Sequence, residues 1–413
     1  MKQQPKEGLL RAFSSLRQRN FRLFWFGQMI SLVGSLMQSI GQAWLVLELT
    51  HSGWQLGLVG ALQSLPLLLF STFGGVFADR WPKRRVLLVT QSASMIQALL
   101  LWLLIVTSSV QLWHIYVLAM LLGITNSLDK PTRHAFIVEM VGREDLPNAV
   151  ALNSSIFNLA RIVGPSLGGI IIAATSVTIL FLLNALSFLA VIVGLALINS
   201  HELHAQPFQH PNVGERQKTW QVALREGVAY VWYTPEVLLV IVVVGLVLLF
   251  GSNFNVLLPL FATDVLHVGA RGFGFLSASM GIGSLIATLW RAWSSLKPSI
   301  RRLLISTAVF GVLEVVFAVS HIYSLSLALI ASISFTETTF AQFSMTTLQT
   351  VAPDHLRGRV ISIYVLFFDG SVPLGYLLVG WLSSLYGASI ALLICALLSL
   401  IVVGVGWMWH KRA

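Results

Sequence analysis

Twelve long apolar runs alternate with short polar connections along this chain, and its 26 Lys and Arg residues cluster in alternate connections. If the N-terminus is cytoplasmic, one basic residue, Arg271, falls on the far side. Three more, Lys130, Arg133 and Arg161, lie inside apolar runs. The others lie in the tails, the even-numbered connections or the adjoining span ends. Because short basic loops stay in the cytoplasm, the pattern predicts twelve transmembrane spans with both termini inside.

Composition points to the same class of protein. The chain is 56% hydrophobic and 10% charged, whereas a soluble globular chain carries about 25% charged residues. The sequence therefore predicts an integral membrane protein. Its net charge of +10 comes from basic residues spread over several span ends, which gives no single basic face, so nucleic acid is not a predicted partner.

A membrane-crossing helix needs about 20 apolar residues, which predicts an all-α fold. The predicted spans are 22–48, 54–78, 84–107, 112–140, 146–173, 177–199, 236–261, 271–292, 302–320, 323–351, 358–385 and 388–409. The predicted segments are a basic N-terminal segment (1–21), a six-helix half (22–199), a cytoplasmic linker with a surface helix (200–235), a second six-helix half (236–409) and a cytoplasmic tail (410–413).

The two predicted halves show weak internal similarity. Val141–Ser154 can be laid on Val351–Tyr364 without gaps, so that Glu144 meets Asp354. Parallel repeats related by an axis along the membrane normal are typical of transporters, whose substrate site lies between the repeats.

The connection after the second span reads Asp79-Arg80-Trp81-Pro82-Lys83-Arg84-Arg85. It resembles the Asp-Arg motif of the major facilitator superfamily, with Pro82 in place of the usual Gly. The resemblance implies that Asp79 meets the N-terminus of span 11 and nearby basic residues, locking the outward-open state. The predicted gating residues are Asp79, Arg80, Arg84, Arg85 and Arg133.

Span 5 carries Ala160-Arg161-Ile162-Val163-Gly164-Pro165-Ser166-Leu167-Gly168-Gly169. This resembles the motif of the exporter branch, with Ala160 in place of its first Gly, and implies export. Small residues allow close helix approach, and Pro165 permits a kink. With Asn153-Ser154 and Leu356-Arg357-Gly358-Arg359, the chain looks like the subgroup that includes enterobactin exporters and macrolide-efflux proteins. The exporter-helix residues are Gly164, Pro165, Gly168 and Gly169.

Charges inside a membrane usually face a cavity or a partner. Asp129 and Arg133 are four residues apart, so they can pair on one helix face, or Arg133 can instead meet Asp79 in a charge relay. Arg161 needs a partner from another helix or an anionic group of the substrate. The sequence does not decide whether Arg133 pairs with Asp129 or with Asp79.

Glu337 in span 10 is the leading candidate for a protonatable coupling group, because the resemblance places that span along the central cavity. A satisfied interhelical hydrogen bond is the competing interpretation. Asp369 is the second candidate, and Asp129 and Arg161 are further candidates for coupling or for binding a substrate charge. Glu314 ranks lower because span 9 is peripheral in the family. Four uncharged residues could line the cavity or join helices: Gln38, Gln42, Asn253 and Asn255.

These features predict a monomeric secondary transporter of the cell (inner) membrane that exports an amphipathic drug, macrolide or siderophore by proton antiport. The proton gradient is the predicted energy source, and no cofactor, metal site or enzyme activity is predicted. Membrane lipid is the other predicted partner. The alternatives are a lipid or lysolipid flippase on the same scaffold and a non-transporting membrane sensor or scaffold.

Overall fold

The structure, a computed structural model, describes residues 14–204, 225–294 and 296–412, and side chains within these ranges except at 71–80 and 412. No strand occurs among the described residues, and helices account for most of them. The predicted all-α fold class is confirmed.

The first set of helices corresponds closely to the first six predicted spans. A 3-10 turn at Ser14–Arg17 precedes it. The helices are α1 (Arg19–Thr50), α2 (Gly53–Arg80), α3 (Lys83–Val106), α4 (Leu112–Val141), α5 (Leu146–Ala174) and α6 (Val177–Ala196). Helix α5 continues through Pro165.

A short helix at 225–233 follows and coincides with part of the predicted surface helix, whose start at 220–224 lies outside the described residues. The remaining helices are α7 (Pro235–Gly251, then Phe254–Leu260 and a π-helical turn at Phe261–Val265), α8 (Gly269–Trp293), α9 (Ile300–Ala318), α10 (Tyr323–Val351), α11 (Asp354–Tyr386) and α12 (Ala388–Arg412). The continuous helix predicted at 236–261 is thus interrupted after Gly251.

Among the described residues, 11 helices are long and apolar enough to cross a membrane. Helix α9 is the one predicted span outside this set, because its 19 residues include Arg301, Arg302 and Glu314. The predicted count of twelve is therefore not confirmed in full, and the cytoplasmic location of both termini stays a prediction.

The chain forms two compact units. The first comprises Met1–Leu49 and Leu62–Pro207, and the second comprises Thr50–Ala61 and Phe208–Ala413. The first turns of α2 thus belong to the second unit, where they lie against α11. A methyl group at Gly57 would lie 2.3 Å from the carbonyl oxygen of Tyr376, so only glycine fits this helix contact.

Aromatic side chains fix the helices of the second unit around the interruption in α7. The rings of Phe261 and Phe317 stack with centroids 4.6 Å apart, and those of Phe310 and Phe340 meet edge to face at 5.4 Å. All four side chains are fully buried. Aromatic pairs add stabilisation beyond the area they bury, so the end of α7 is held against α9, and α9 is held against α10.

Candidate functional site

The interruption of α7 is the centre of the candidate site in the second unit. The buried side chain of Asn253 donates to the carbonyl oxygens of Leu249 at 2.8 Å and Phe250 at 3.0 Å. It thereby satisfies carbonyls that the break removes from the helix ladder. Its Oδ1 atom has no hydrogen-bond partner within the described part of the chain. Interrupted helices are where transporters commonly place substrate and ion sites.

Glu337 approaches this interruption from α10. The hydroxyl of Ser252 donates to Glu337 Oε1, and the glutamate side chain is half-buried. Asn255, one turn further on, donates to the Tyr376 hydroxyl of α11 at 2.6 Å. The break therefore presents polar groups to both α10 and α11, and the interhelical hydrogen bond considered for Glu337 is present.

Glu314 approaches the same interruption from α9. It is fully buried, and neither carboxyl oxygen has a hydrogen-bond partner among the described residues. A methyl group at Gly251 would lie 2.9 and 3.0 Å from these two oxygens. The glycine at the end of the first α7 segment thus makes room for the carboxyl group. Sequence reasoning ranked Glu314 low, and its position beside the break is what that reasoning missed.

Asp369, the second acidic candidate, lies on α11 and is exposed. On the same helix, the Tyr364 hydroxyl lies 2.7 Å from that of Ser344 on α10. Asp369 therefore differs from the fully buried Glu314 in being exposed.

Asp129 is the centre of a buried polar cluster in the first unit. It is 2% exposed and forms an ion pair with Arg133. Its Oδ1 atom accepts hydrogen bonds from Thr90 at 2.8 Å and Gln91 at 2.7 Å, both on α3. The structure thus shows the within-helix pair. The side chain of Asp79 lies outside the described residues, so the relay to Arg133 stays a prediction.

Gln38 joins three helices of the first unit. Its amide nitrogen donates to Gln97 of α3 at 3.0 Å, and its Oε1 accepts from Asn184 of α6 at 2.6 Å. Gln42 is buried one turn further along α1. Because both polar atoms of Gln38 are used within the protein, this residue serves as a link between helices.

Helix α5 lies close to α1 at the glycines of the exporter motif. A methyl group at Gly164 would lie 2.8 Å from Leu36 Cβ, and one at Gly168 would lie 3.4 Å from the Met37 carbonyl oxygen. Pro165 and Gly169 are buried beside them. Arg161 is half-buried on the same helix, with its guanidinium 5.9 Å from the centre of the Phe157 ring.

Arg84, a predicted gating residue, caps the C-terminal end of α6. Its guanidinium donates to the carbonyl oxygens of Leu195 and Ala196, both at 2.7 Å, and to the Ser200 hydroxyl at 2.8 Å. A cation at a helix C-terminus satisfies free carbonyls and complements the helix dipole. Its neighbour Arg85 is exposed. Asp79 and Arg80 end α2, but their side chains are outside the described residues.

This cap gives a prediction about stability. We expect Arg84→Met to lower the free energy of unfolding by about 1–2 kcal/mol, because it removes three charge-assisted hydrogen bonds from partly solvated positions. Arg85→Met is the matched control, with an expected change within about 0.5 kcal/mol. Thermal unfolding of the purified variants in detergent measures both. Equal melting temperatures for the two variants would contradict the capping role.

Sequence comparison identifies the family. A profile described as "transmembrane secretion effector", within the major facilitator superfamily, matches residues 10–411. The chain belongs to this family. The predicted resemblance is confirmed, and the chain is a multi-pass membrane transporter.

Three relatives match over most of their length. The staphyloferrin A transporter of Staphylococcus aureus is 27% identical over 89% of this chain and 90% of the relative. The multidrug efflux pump Tap of Mycolicibacterium fortuitum is 29% identical over 88% and 89%. The enterobactin exporter EntS of Escherichia coli is 25% identical over 83% and 80%.

Solved structures share the fold at low sequence identity. A bacterial homologue of the human lysosomal transporter Spinster, in an inward-facing and unoccupied conformation, matches with a TM-score of 0.72 and 11% identity over 95% of this chain and 96% of the other. The nucleoside transporter NupG matches with a TM-score of 0.70 and 14% identity over 96% and 99%. These likenesses establish the major facilitator fold.

Proposed function

We propose that this transporter exports an amphipathic small molecule from the cytoplasm across the inner membrane, in exchange for protons and by alternating access. The observation that carries the proposal is the carboxyl group of Glu337, held by Ser252 at the interruption of α7. A half-buried carboxyl beside an interrupted helix can take up and release a proton as its surroundings change. Family membership supports the transporter class.

Substrate class is suggested by the relatives and by the charged groups of the chain. The relatives are named for staphyloferrin A, for multiple drugs and for enterobactin, which supports a drug or a siderophore. A siderophore carries anionic groups, which Arg161 could meet, whereas a cationic drug could meet the exposed Asp369. The two substrate classes would therefore contact different residues. Substitution of Arg161 tests the siderophore, and substitution of Asp369 tests the cationic drug.

A lipid or lysolipid flippase is the second candidate function. The observation in its favour is an apolar cleft of about 370 Å³ in the first unit, between α1 and α5. Its lining residues are Trp25, Met29, Ala151, Leu152, Ser155, Ile156 and Leu159. An acyl chain would fit such a surface, because the lining offers little hydrogen bonding and much apolar contact.

Inside-out membrane vesicles test the proposal, because export then appears as accumulation. Vesicles containing the wild-type chain would be given a fluorescent amphipathic cation, a macrolide, an iron-free siderophore or a labelled lysolipid, with and without an imposed proton gradient. We expect accumulation of a drug or siderophore that depends on the gradient and disappears with a protonophore. Vesicles without the protein are the control. Movement of the lysolipid alone would favour the flippase, and gradient-independent movement of every compound would contradict proton antiport.

A further inference from the structure

Two consecutive residues of α7 bring carboxyl groups from two different helices to the same break. Gly251 leaves room for the carboxyl group of Glu314 from α9, whose oxygens would lie 2.9 and 3.0 Å from a methyl group at that position. Ser252 donates a hydrogen bond to Glu337 from α10. The two acids are therefore neighbours across one short stretch of α7 backbone.

The surroundings of Glu314 disfavour a negative charge. Its side chain is fully buried, and neither oxygen has a hydrogen-bond donor among the described residues. The helices packed against α9 are α7, α10 and α12. The titratable groups that interact with Glu314 from them are Glu337 of α10 and Cys395 of α12, and neither is a cation. A carboxylate buried without a counter-charge or donor is too costly to persist, so Glu314 fits the protonated form.

Basic residues at the start of α9 do not neutralise a negative charge on Glu314. Arg302 precedes Glu314 by about three turns of helix, which corresponds to roughly 18 Å along the axis. Its guanidinium donates to the carbonyl oxygen of Lys297 at the start of the helix. The charge of Glu314 would therefore stay without a partner in the conformation described.

The surroundings of Glu337 differ from those of Glu314, because they offer a hydrogen-bond donor. It accepts a hydrogen bond from Ser252 and is half-buried, so an ionised form is supported there. Because both carboxyl groups lie at the same break of α7, against Gly251 and Ser252, a negative charge on one disfavours a negative charge on the other. The proton affinity of each group then depends on the charge of the other.

We propose that Glu314 and Glu337 form one proton-binding site at the interruption of α7, in which Glu314 keeps a proton while Glu337 exchanges one. The coupling of this site to transport rests on the proposed function, whereas proton binding by the pair does not. In the exchange, an O–H bond of Glu337 forms as an O–H bond of hydronium breaks, and the reverse step returns the proton to water, so solvent is the only further reactant. Glu314 thereby acquires a functional position on a helix that the family resemblance treats as peripheral.

Infrared spectroscopy of the purified chain in lipid nanodiscs tests the proposal without any transport. At neutral pH exposed carboxyl groups are ionised, so a C=O stretch of a protonated carboxyl reports a buried acid. We expect this band in the wild type, its loss in Glu314→Gln, and its retention in Glu337→Gln. Glu48→Gln, at an exposed position near the end of α1, is the matched control and should retain the band. Absence of the band from the wild type, or its full retention in Glu314→Gln, would overturn the assignment.

A second variant covers the case in which Glu314→Gln does not fold. Gly251→Ala places a methyl group 2.9 and 3.0 Å from the Glu314 oxygens and 2.5 Å from Phe310 Cε1. The Phe310 ring and the carboxyl group must both adjust, so we expect the frequency of the same band to shift. An unshifted band would contradict the placement of the proton on Glu314. Adding sodium ions at constant pH should leave the band unchanged. Its loss would show that the pair binds sodium, which contradicts a proton site.

The outcomes separate this inference from the proposed function. If the wild type transports none of the tested compounds but shows the expected band pattern, the proton site stands and the export proposal loses its support. If gradient-driven export is observed and Glu314→Gln both transports like the wild type and retains the band, export stands and the paired site is wrong.

Discussion

Glu337→Gln should reduce gradient-driven accumulation in inside-out vesicles to the level of vesicles without the protein, while the chain stays folded. Glutamine matches glutamate in size, and its amide oxygen can accept the same hydrogen bond from Ser252. The α7–α10 contact is therefore preserved, and we expect the free energy of unfolding to change by less than about 1 kcal/mol. The lost property is ionisation, which proton exchange requires.

A matched variant separates the carboxyl group from its hydrogen bond. Ser252→Ala removes the donor but leaves Glu337 able to ionise, so we expect reduced but still gradient-dependent transport. Exchange of labelled for unlabelled substrate without a gradient should persist in Glu337→Gln, because exchange does not need the proton. Wild-type levels of gradient-driven transport by Glu337→Gln would refute the coupling role of this residue.

The sequence predicts the positions of most membrane helices well, because a membrane-spanning helix requires a long apolar run that is visible in the sequence. The predicted span 112–140, for example, corresponds to helix Leu112–Val141, and 323–351 corresponds to Tyr323–Val351. Such boundaries depend on where apolar runs meet polar connections, which is a local property. The resemblance carried by the Asp-Arg connection and the exporter helix is confirmed by the family profile over residues 10–411.

The interruption of α7 shows where sequence reasoning fails. The run 236–261 contains Ser252, Asn253 and Asn255 within a largely apolar stretch, and length and hydropathy alone favour one continuous helix. The observed outcome depends on Asn253, whose side chain competes for the carbonyl oxygens of Leu249 and Phe250. A Gly-Ser-Asn triplet inside an apolar run was the available signal, because these residues favour caps and turns over helix interiors.

The roles of individual polar residues depend on partners that are far away in the sequence, so a local sequence motif does not predict them. Arg84 belongs to a motif that predicts gating, yet its donors reach carbonyl oxygens of α6 that lie 111 and 112 residues away along the chain. Glu314 was ranked low from its span alone, and its place opposite Gly251 follows from packing between α7 and α9. Tertiary contacts decide both cases, and no spacing rule in the sequence encodes them.

Asp129→Leu should strongly destabilise the first unit. It leaves the guanidinium of Arg133 without its anion and removes the acceptor of Thr90 and Gln91. Removing one partner of a buried ion pair costs about 3–5 kcal/mol, because the remaining charge stays desolvated. The Arg133 side chain is 20% exposed, so we expect a cost near the lower end of this range. We expect a sharply lower melting temperature or a large fall in the yield of folded protein. Stability equal to the wild type would contradict the structural role of this pair.

The double variant Asp129→Leu/Arg133→Met distinguishes that structural role from the predicted gate. Replacing both charges by apolar groups removes the uncompensated cation, so most of the lost stability should return. Thr90 and Gln91 still lose an acceptor, which leaves a residual cost of about 1–2 kcal/mol. If the stable double variant also transports at the wild-type rate, Arg133 serves only its ion pair with Asp129. If it is stable but inactive, Asp129 or Arg133 has a further role in the transport cycle. Asp79→Asn is then the variant to test next, because Asp79 is the predicted second partner of Arg133.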